Sequence, residues 1–531
     1  MNIRNIRNQP FFGVLAATGA LIVLGFWHGG FWFGLVLTLP LVVLGSWDLI
    51  QRRHSLLRNY PLVGHLRFLL EDTGPELRQY IVESNTEGQP FDRDQRSLIY
   101  QRAKNVEDKK PFGTEERVYA TNYTWLAHSI APKPLAERPV ETFRVAVGEN
   151  QCAHPYSASI YNISAMSFGA LSANAIRALN GGARRGGFAH DTGEGGLSRY
   201  HLEPGGDIIW QIGTGYFGCR TPDGRFDPDR FHDQAVLDQV KMIELKLSQG
   251  AKPGHGGILP AAKVSAEIAA ARGVPVGEDC VSPAYHTAFD TPIGLLEFVA
   301  RLRELSGGKP AGFKLCVGRL DEFFAVCKAM AETGLYPDFI TVDGGEGGTG
   351  AAPIEFSNHV GMPAREGIAF VHNALVGMNL RHRVPIAASG KMVSAFHLAA
   401  ALALGADWCN SARGFMFSLG CIQAQTCHTN QCPVGVATQN HRLERALVVS
   451  DKAERVYHFH RNTVEALAEV VAAAGLESPA ELAPCHVYKR ISATDIRTFE
   501  QLYDRYRPGQ LLDGDAGPLQ EYWDRARASA W

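Results

Sequence analysis

Residues 420–435, GCIQAQTCHTNQCPVG, place Cys421, Cys427 and Cys432 at the spacing C-x5-C-x4-C. One compact loop with that spacing can direct three thiolates at a single metal centre. A structural zinc site asks for a fourth Cys or His and for closer pairs, so His428 or a distant cysteine would have to complete it. A proline directly after the last cysteine, here Pro433, also occurs in iron–sulfur ligand runs. The pattern therefore favours iron–sulfur chemistry over zinc. The other cysteines, at 152, 219, 280, 316, 327, 409 and 485, are scattered and read as ordinary thiols. Ten cysteines in 531 residues do not make a disulfide scaffold.

A second set of chemically capable residues recurs at the ends of short apolar runs: Ser164 and Ser167, Lys246 and Gln249, Lys314, Asp343, Ser389 with Lys391, and Arg413. Taken singly, each could be a cap or a solvent-facing residue. Repeated over several units, they describe a rim, and in a β/α barrel the rim at the strand C-termini holds the active site. Two late loops, ASGKM at 388–392 and SARGF at 411–415, have the composition to hold a phosphate. Their backbone N–H groups and helix starts can face an anion, which Lys391 or Arg413 can neutralise. Glu194 and Glu346 are carboxylates that could handle protons, although Glu194 in DTGEGG could equally hold its loop. His255 and His286 read as hydrogen-bonding loop residues. His458 and His460, at i and i+2, do not share a helix face and so do not read as a metal pair.

From about residue 155 to 440 the chain resembles the FMN-binding synthase domain of glutamate synthase. The resemblance rests on ISAMSFGALS at 163–172, DTGEGG at 191–196, QGAKPGHGG at 249–257, SPAYH at 282–286, GGTGAAP at 347–353 and CHTNQCPVGVATQ at 427–439. It implies FMN on a barrel, a [3Fe-4S] cluster beside it, and reduction of 2-iminoglutarate to glutamate. It further implies that Cys421, Cys427 and Cys432 ligate the cluster and that Ser164, Ala165 and Met166 lie against the flavin. Lys314 matches the lysine beside flavin and substrate, and the stretches with Gly344, Gly345, Gly390, Lys391, Ala412 and Arg413 match flavin and phosphate contacts. Three departures bear on the substrate: Glu346 stands where the family's fused enzymes have Asp in a His-Asp-Gly-Gly run, ASGKM replaces a Thr-Asp-Gly-Gln-like sequence, and SPAYH keeps only His286 of a Pro-Pro-His-His run.

On that resemblance the flavin performs hydride chemistry, with Lys314 as an electrostatic partner for a substrate carboxylate or flavin atom and Glu194 or Glu346 as proton handlers. The resemblance implies a small imino acid as substrate. No GxGxxG fingerprint opens a strand–helix pair, so the electron donor is expected to be a protein or the quinone pool before NAD(P)H. Amidotransferase and β-helix modules are expected to be missing, which leaves ammonia, an amine or a separate partner as nitrogen source. Two other classes stay open: an amine or imine oxidoreductase of different substrate, and an electron-transfer subunit without its own catalysis.

These residues need a scaffold that brings strand ends together. AGFKLCVG at 311–318, DFITVDGG at 338–345, RVPIAASG at 383–390 and ADWCNSARG at 406–414 are apolar runs followed by glycine and, in most cases, a helical stretch. SIYNISAMSFG ending at 169, DIIWQIGTG at 207–215 and MIELKLSQG at 242–250 repeat the pattern. Strands of this length alternating with helices indicate parallel β/α units with buried strands. The predicted fold is α/β, a (β/α)8 TIM barrel with at least one strand unplaced; an open doubly wound sheet is the alternative. The expected layout is a transmembrane helical hairpin at 1–50, a linker and N-terminal extension at 51–150, the barrel with its cysteine loop at 151–440, and an extension packed on the barrel at 441–531.

At the front, residues 11–27 and 31–47 carry no charged side chain, and each is just long enough to cross a bilayer. Arg4 and Arg7 precede the first, and Arg52, Arg53 and His54 follow the second. Basic flanks on both outer sides predict that both ends face the cytoplasm, with the catalytic part on the cytoplasmic side of the membrane. A formal charge of -2 from 52 basic and 54 acidic residues gives no reason to expect a nucleic-acid partner.

Overall fold

A computed structural model describes residues 8–531, and the chain divides into two compact units after Asp92. The break falls inside the stretch 51–150 expected to link hairpin and barrel.

In the first unit, helix α1 spans Gln9–Gly25 and opens on Pro10, whose fixed φ suits the first helical turn. A 3-10 turn at Gly29–Gly34 leads into helix α2, Leu35–Ile50. The two helices pack on each other through glycines. A Cβ at Gly45 would fall 2.2 Å from the Phe11 ring, and one at Gly34 would fall 2.8 Å from Leu21. Their outer surfaces are exposed and apolar, including Phe12, Val23, Val36, Leu37 and Val43. Among the described residues only the stretch Gly29–Ile50, 22 residues long, is long and apolar enough to cross a membrane; Gln9–Gly25 has 17 residues. In place of the expected pair of spans there is one stretch long enough to span and one shorter apolar helix, because α1 ends at Gly25 after 17 residues whereas the turn and α2 together run 22. Arg4 and Arg7 lie outside the described residues.

The second unit is built on a closed barrel of eight parallel strands. We number them β1 Tyr161–Ile163, β2 His190–Asp191, β3 Ile208–Ile212, β4 Val240–Lys246, β5 Ala311–Cys316, β6 Ile340–Asp343, β7 Ile386–Ser389 and β8 Trp408–Ser411. Closure is made by Cys409, Asn410 and Ser411 of β8 pairing with Tyr161, Asn162 and Ile163 of β1. Seven strands lie in the predicted runs. The eighth, β2, is only two residues long, too short for any periodicity to reveal.

Side chains alternate across each strand, so the barrel interior is layered. Ile209, Met242, Phe339, Ala387 and Trp408 form an apolar lower layer that continues outward to Val147, Tyr156 and Ala158. Two residues further along the same strands the interior becomes polar: Gln211 on β3, Glu244 on β4 and Thr341 on β6, all buried. Above these stand Lys246 on β4 and Asp343 on β6.

Helices cover the outside. Ser172 caps Ala173–Gly186 through Ala175 N, and the 25-residue helix Val449–Ala473 lies against it, with Val456 over Gly182. This helix of the C-terminal extension thus lies next to β1, with Phe459 against Tyr161. Strand Thr124–Leu126 pairs antiparallel with Val487–Arg490, which pairs in turn with Ile496–Thr498. One small sheet therefore ties the residues before the barrel to those after it.

Candidate active site

The loops after β1, β2, β4, β6 and β8 surround a cavity of about 140 Å³. Ala165, Met166, Glu194, Gln249, Ala412, Arg413 and Cys427 line it, together with Gln211, Lys246 and Lys263. Glycine permits this convergence. A Cβ at Gly250 would lie 1.6 Å from the carbonyl oxygen of Gly344, so the β4 and β6 loops cross backbone against backbone. At Gly390, φ is +131°, a conformation that turns the chain sharply at the end of β7 into Lys391.

The loop carrying Ala165 and Met166 is held at three points. Ser164 N donates to Ser411 O at 3.0 Å, Met166 N donates to Asp191 O at 3.1 Å, and the buried His201 ring nitrogen Nε2 stands 3.3 Å from Met166 O. Burial pushes His201 down to about 4, so its neutral ring serves as a hydrogen-bonding brace. Ser164 also meets Ser389 at 3.4 Å, hydroxyl to hydroxyl.

Charge is arranged in two ion pairs. In one, Lys246 Nζ pairs with Glu194 Oε1 at 2.9 Å. Burial raises the Glu194 carboxyl, but Lys246, Lys252 and Arg272 outweigh it and hold the group below its ordinary value. In the other, Lys314 Nζ lies 3.4 Å from Asp343 Oδ2, both side chains nearly inaccessible. Burial opposes the ammonium, yet Asp343, Glu244 and Asp191 together hold Lys314 protonated more firmly than usual. Asp343 also accepts from Gly250 N at 3.0 Å and Gly344 N at 3.1 Å, which locks the two crossing loops.

Glu346 stands apart from the cavity lining. Its carboxylate accepts from Ala364 N at 2.9 Å and so caps helix Ala364–Gly377, above Gly344 and Gly390. This helix-capping position is different from the proton-handling one expected of it. His286 is buried in its loop, 2.8 Å from Lys246 O and 3.1 Å from the Tyr216 hydroxyl. His460 stacks on Phe188 at 3.9 Å.

The cysteine loop flanks the cavity. Arg413 donates to Thr349 O at 2.9 Å and reaches Cys427 Sγ at 4.0 Å. Burial pushes Cys421 up to about 11, with Arg413 opposing the shift and Cys427 and Cys432 adding to it. Lys263, buried and donating to Ala170 O at 3.0 Å, is lowered to about 8 by burial, while Cys427 and Cys432 favour its charge. The three thiols thus lie within electrostatic reach of one another beside two cations. Among the described residues no three or more His, Cys, Asp or Glu side chains are gathered as a site for a metal ion.

Sequence reasoning misses Asp191, Gln211, Glu244 and Lys263. The first lies on the two-residue strand. Gln211 and Glu244 sit inside apolar runs where only the barrel's alternation reveals that they point inward. Lys263 follows a β4 loop whose path the sequence does not disclose.

A residue that donates to nothing identifies what the cavity is suited to receive. Gln249 Nε2 is buried without a hydrogen-bond partner and belongs to the cavity wall; a buried amide donor of this kind calls for a ligand acceptor. With Met166 and Ala165 as an apolar wall, and Lys246 and Arg413 as cations, the lining suits a flat heterocycle carrying a phosphate.

Comparison with known proteins agrees. The profile of the "Conserved region in glutamate synthase" matches residues 126–477. The chain is 38% identical to the "Glutamate synthase large subunit-like protein YerD" of Bacillus subtilis, over 89% of this chain and 97% of that one. It is 35% identical to the "Archaeal glutamate synthase [NADPH]" of Methanocaldococcus jannaschii, over 60% of this chain and 59% of that one. With the "Glutamate synthase [NADPH] large chain" of Azospirillum brasilense it shares 32% identity over 59% of its length, but spans only 20% of that protein. A closed eight-stranded barrel, a cavity at its rim and a match covering most of the chain lead to one conclusion: the chain belongs to the glutamate synthase family and is an FMN-binding oxidoreductase of that family.

Proposed function

We propose that this oxidoreductase reduces a small imino acid, 2-iminoglutarate or an analogue, to the corresponding amino acid. The observation that carries the reading is the unpartnered Gln249 amide in a cavity walled by Met166 and flanked by the Lys246–Glu194 pair. In this reading Gln249 and Lys246 serve the polar edge of the flavin ring, Ala165 and Met166 one of its faces, and Gly390, Lys391 and Arg413 its phosphate. Bound there, the flavin supplies the hydride chemistry. The chain's residues orient the substrate and manage charge: Glu194, held ionised by Lys246, Lys252 and Arg272, presents a fixed ion pair with Lys246 at the cavity wall.

Cys421, Cys427 and Cys432 are proposed as ligands of a [3Fe-4S] cluster. Their support is one loop holding three thiols beside Arg413 and Lys263, cations that offset the charge of thiolates. We assign the apolar stretch Gly29–Ile50, packed with α1, to a cytoplasmic membrane, with the barrel unit facing the cytoplasm and electrons arriving from a donor protein or the quinone pool. Ammonia or a separate partner would provide nitrogen.

The decisive test combines composition with product. Purified protein should show a flavin absorption spectrum and bound iron. After reduction with dithionite it should convert 2-oxoglutarate plus ammonia to glutamate. A colourless, iron-free protein that cannot be reconstituted would sink the cofactor assignment. Flavin reoxidation by a quinone with no amino acid formed would replace the reductase reading with electron transfer.

A further inference from the structure

Below the cavity, three carboxyl groups and one ammonium are buried together: Asp191 on β2, Glu244 on β4, Lys314 on β5 and Asp343 on β6. If all were ionised, the barrel interior would carry an uncompensated double negative charge, which low dielectric makes very costly. Hydrogen bonding shows which carboxyls are built to be anions. Both oxygens of Asp343 receive backbone N–H donors, and Lys314 stands beside it. Glu244 accepts from Gln211 Nε2 at 2.6 Å on one oxygen and from the Thr341 hydroxyl at 2.5 Å on the other. Asp191 differs. Its Oδ1 accepts from Gly193 N at 2.8 Å, but Oδ2 has only the same Gln211 amide, at 3.3 Å, and that amide, bound to Glu244 at 2.6 Å, brings the two carboxyls together. A carboxyl oxygen facing a second carboxyl with no strong donor of its own is where a proton belongs.

We propose that Asp191 and Glu244 share one proton and form a buried proton store, which re-protonates Lys314 when the site above takes a proton from that lysine. The transfer is balanced: the carboxyl O–H breaks, an ammonium N–H forms on the neutral amine, and the store is left as two carboxylates. Lys314 pairs in register with Lys246, a cavity residue, and Gln211 both bridges the two acids and lines the cavity. The groups facing Asp191 agree with this. Burial and then Glu244 push its pKa upward, and Lys314 pulls it down by less. His190, next in the chain, and His201, whose ring lies 5.1 Å from that of His190, are held neutral by burial and add no positive charge. The use of the store rests on the flavin reading; its existence does not.

Infrared spectroscopy of the intact protein tests existence. A protonated-carboxyl C=O band should persist at neutral pH, shift on [13C]aspartate or [13C]glutamate labelling, and vanish in Asp191→Asn. Absence of such a band, or its survival in both Asp191→Asn and Glu244→Gln, would overturn the proposal. If a variant fails to fold, labelling of the wild-type protein still decides. Use is tested by counting protons taken from bulk solvent as the flavin-loaded protein is reduced. Asp191→Asn should take up one whole proton more than wild type, and equal uptake would remove the supply role. Flavin absorbance, recorded separately, reports failure of the cofactor reading without affecting the infrared result.

Discussion

Lys246 is buried and Glu194 keeps only 22% of its side chain exposed, so each depends on the other. Deleting one charge from such a pair leaves the other poorly compensated, at a cost of about 1 to 3 kcal/mol. Glu194→Gln should therefore lower the denaturation midpoint at neutral pH, and Glu194→Gln with Lys246→Met should recover part of the loss. The pH dependence follows from the depressed Glu194 pKa. Its contribution is fully present above the ordinary value of 4.5 and is lost as pH falls through the lower folded value. The variant and wild type should thus converge in acid. Asp191 has the opposite sign. Its folded pKa is raised, so its contribution is complete below 3.8 and declines as pH rises. Denaturant titrations of Asp191→Asn should move in the variant's favour by at most about 1.4 kcal/mol per pH unit on going from acid to neutral. A difference that does not change with pH would refute this. Lys314 and Asp343 were legible in the sequence because they stand at strand ends, whereas Asp191 and Glu244 were concealed by short or apolar surroundings.

Loop convergence depends on elements that fit together only if particular backbones touch. Gly250→Ala would drive a methyl into Gly344 O, and no flexible side chain is present to yield. The β4 and β6 loops should part, with a stability loss of about 2 kcal/mol or more and weaker flavin retention, measured by denaturation and by absorbance after gel filtration. Glu346 offers a contrasting case. As the cap of helix Ala364–Gly377, its replacement by alanine should cost about 1 kcal/mol and leave flavin content intact. Loss of turnover with unchanged stability would restore the proton-handling role. The rhythm of apolar run, glycine and helix made seven strands legible, since buried parallel strands are uniformly apolar and their helices amphipathic. The eighth could not be read: β2 is held by its neighbours Ile163 and Ile208, through pairing with His190, and not by its own pattern.

At the scale of the whole molecule, the chain combines a barrel unit that has its own closed sheet and core with a first unit whose longest helices expose apolar surface. Phe12, Val23, Val36, Leu37 and Val43 are more than half exposed, except where α1 and α2 meet. Contiguous apolar surface of that extent is costly in water and favourable in lipid. A single stretch of 22 residues passes the length requirement, so the surface, and not the count of spans, carries the membrane reading. The division after Asp92 makes it testable. Full-length protein should sediment with membranes and resist extraction by high salt or alkaline carbonate, yielding only to detergent. A chain beginning at Arg93 should remain in the supernatant with the same flavin spectrum and thermal midpoint. If the full-length protein is released by salt alone, the first unit is a docking surface for another protein. If the shortened chain loses its flavin, the first unit supports the barrel as well as placing it.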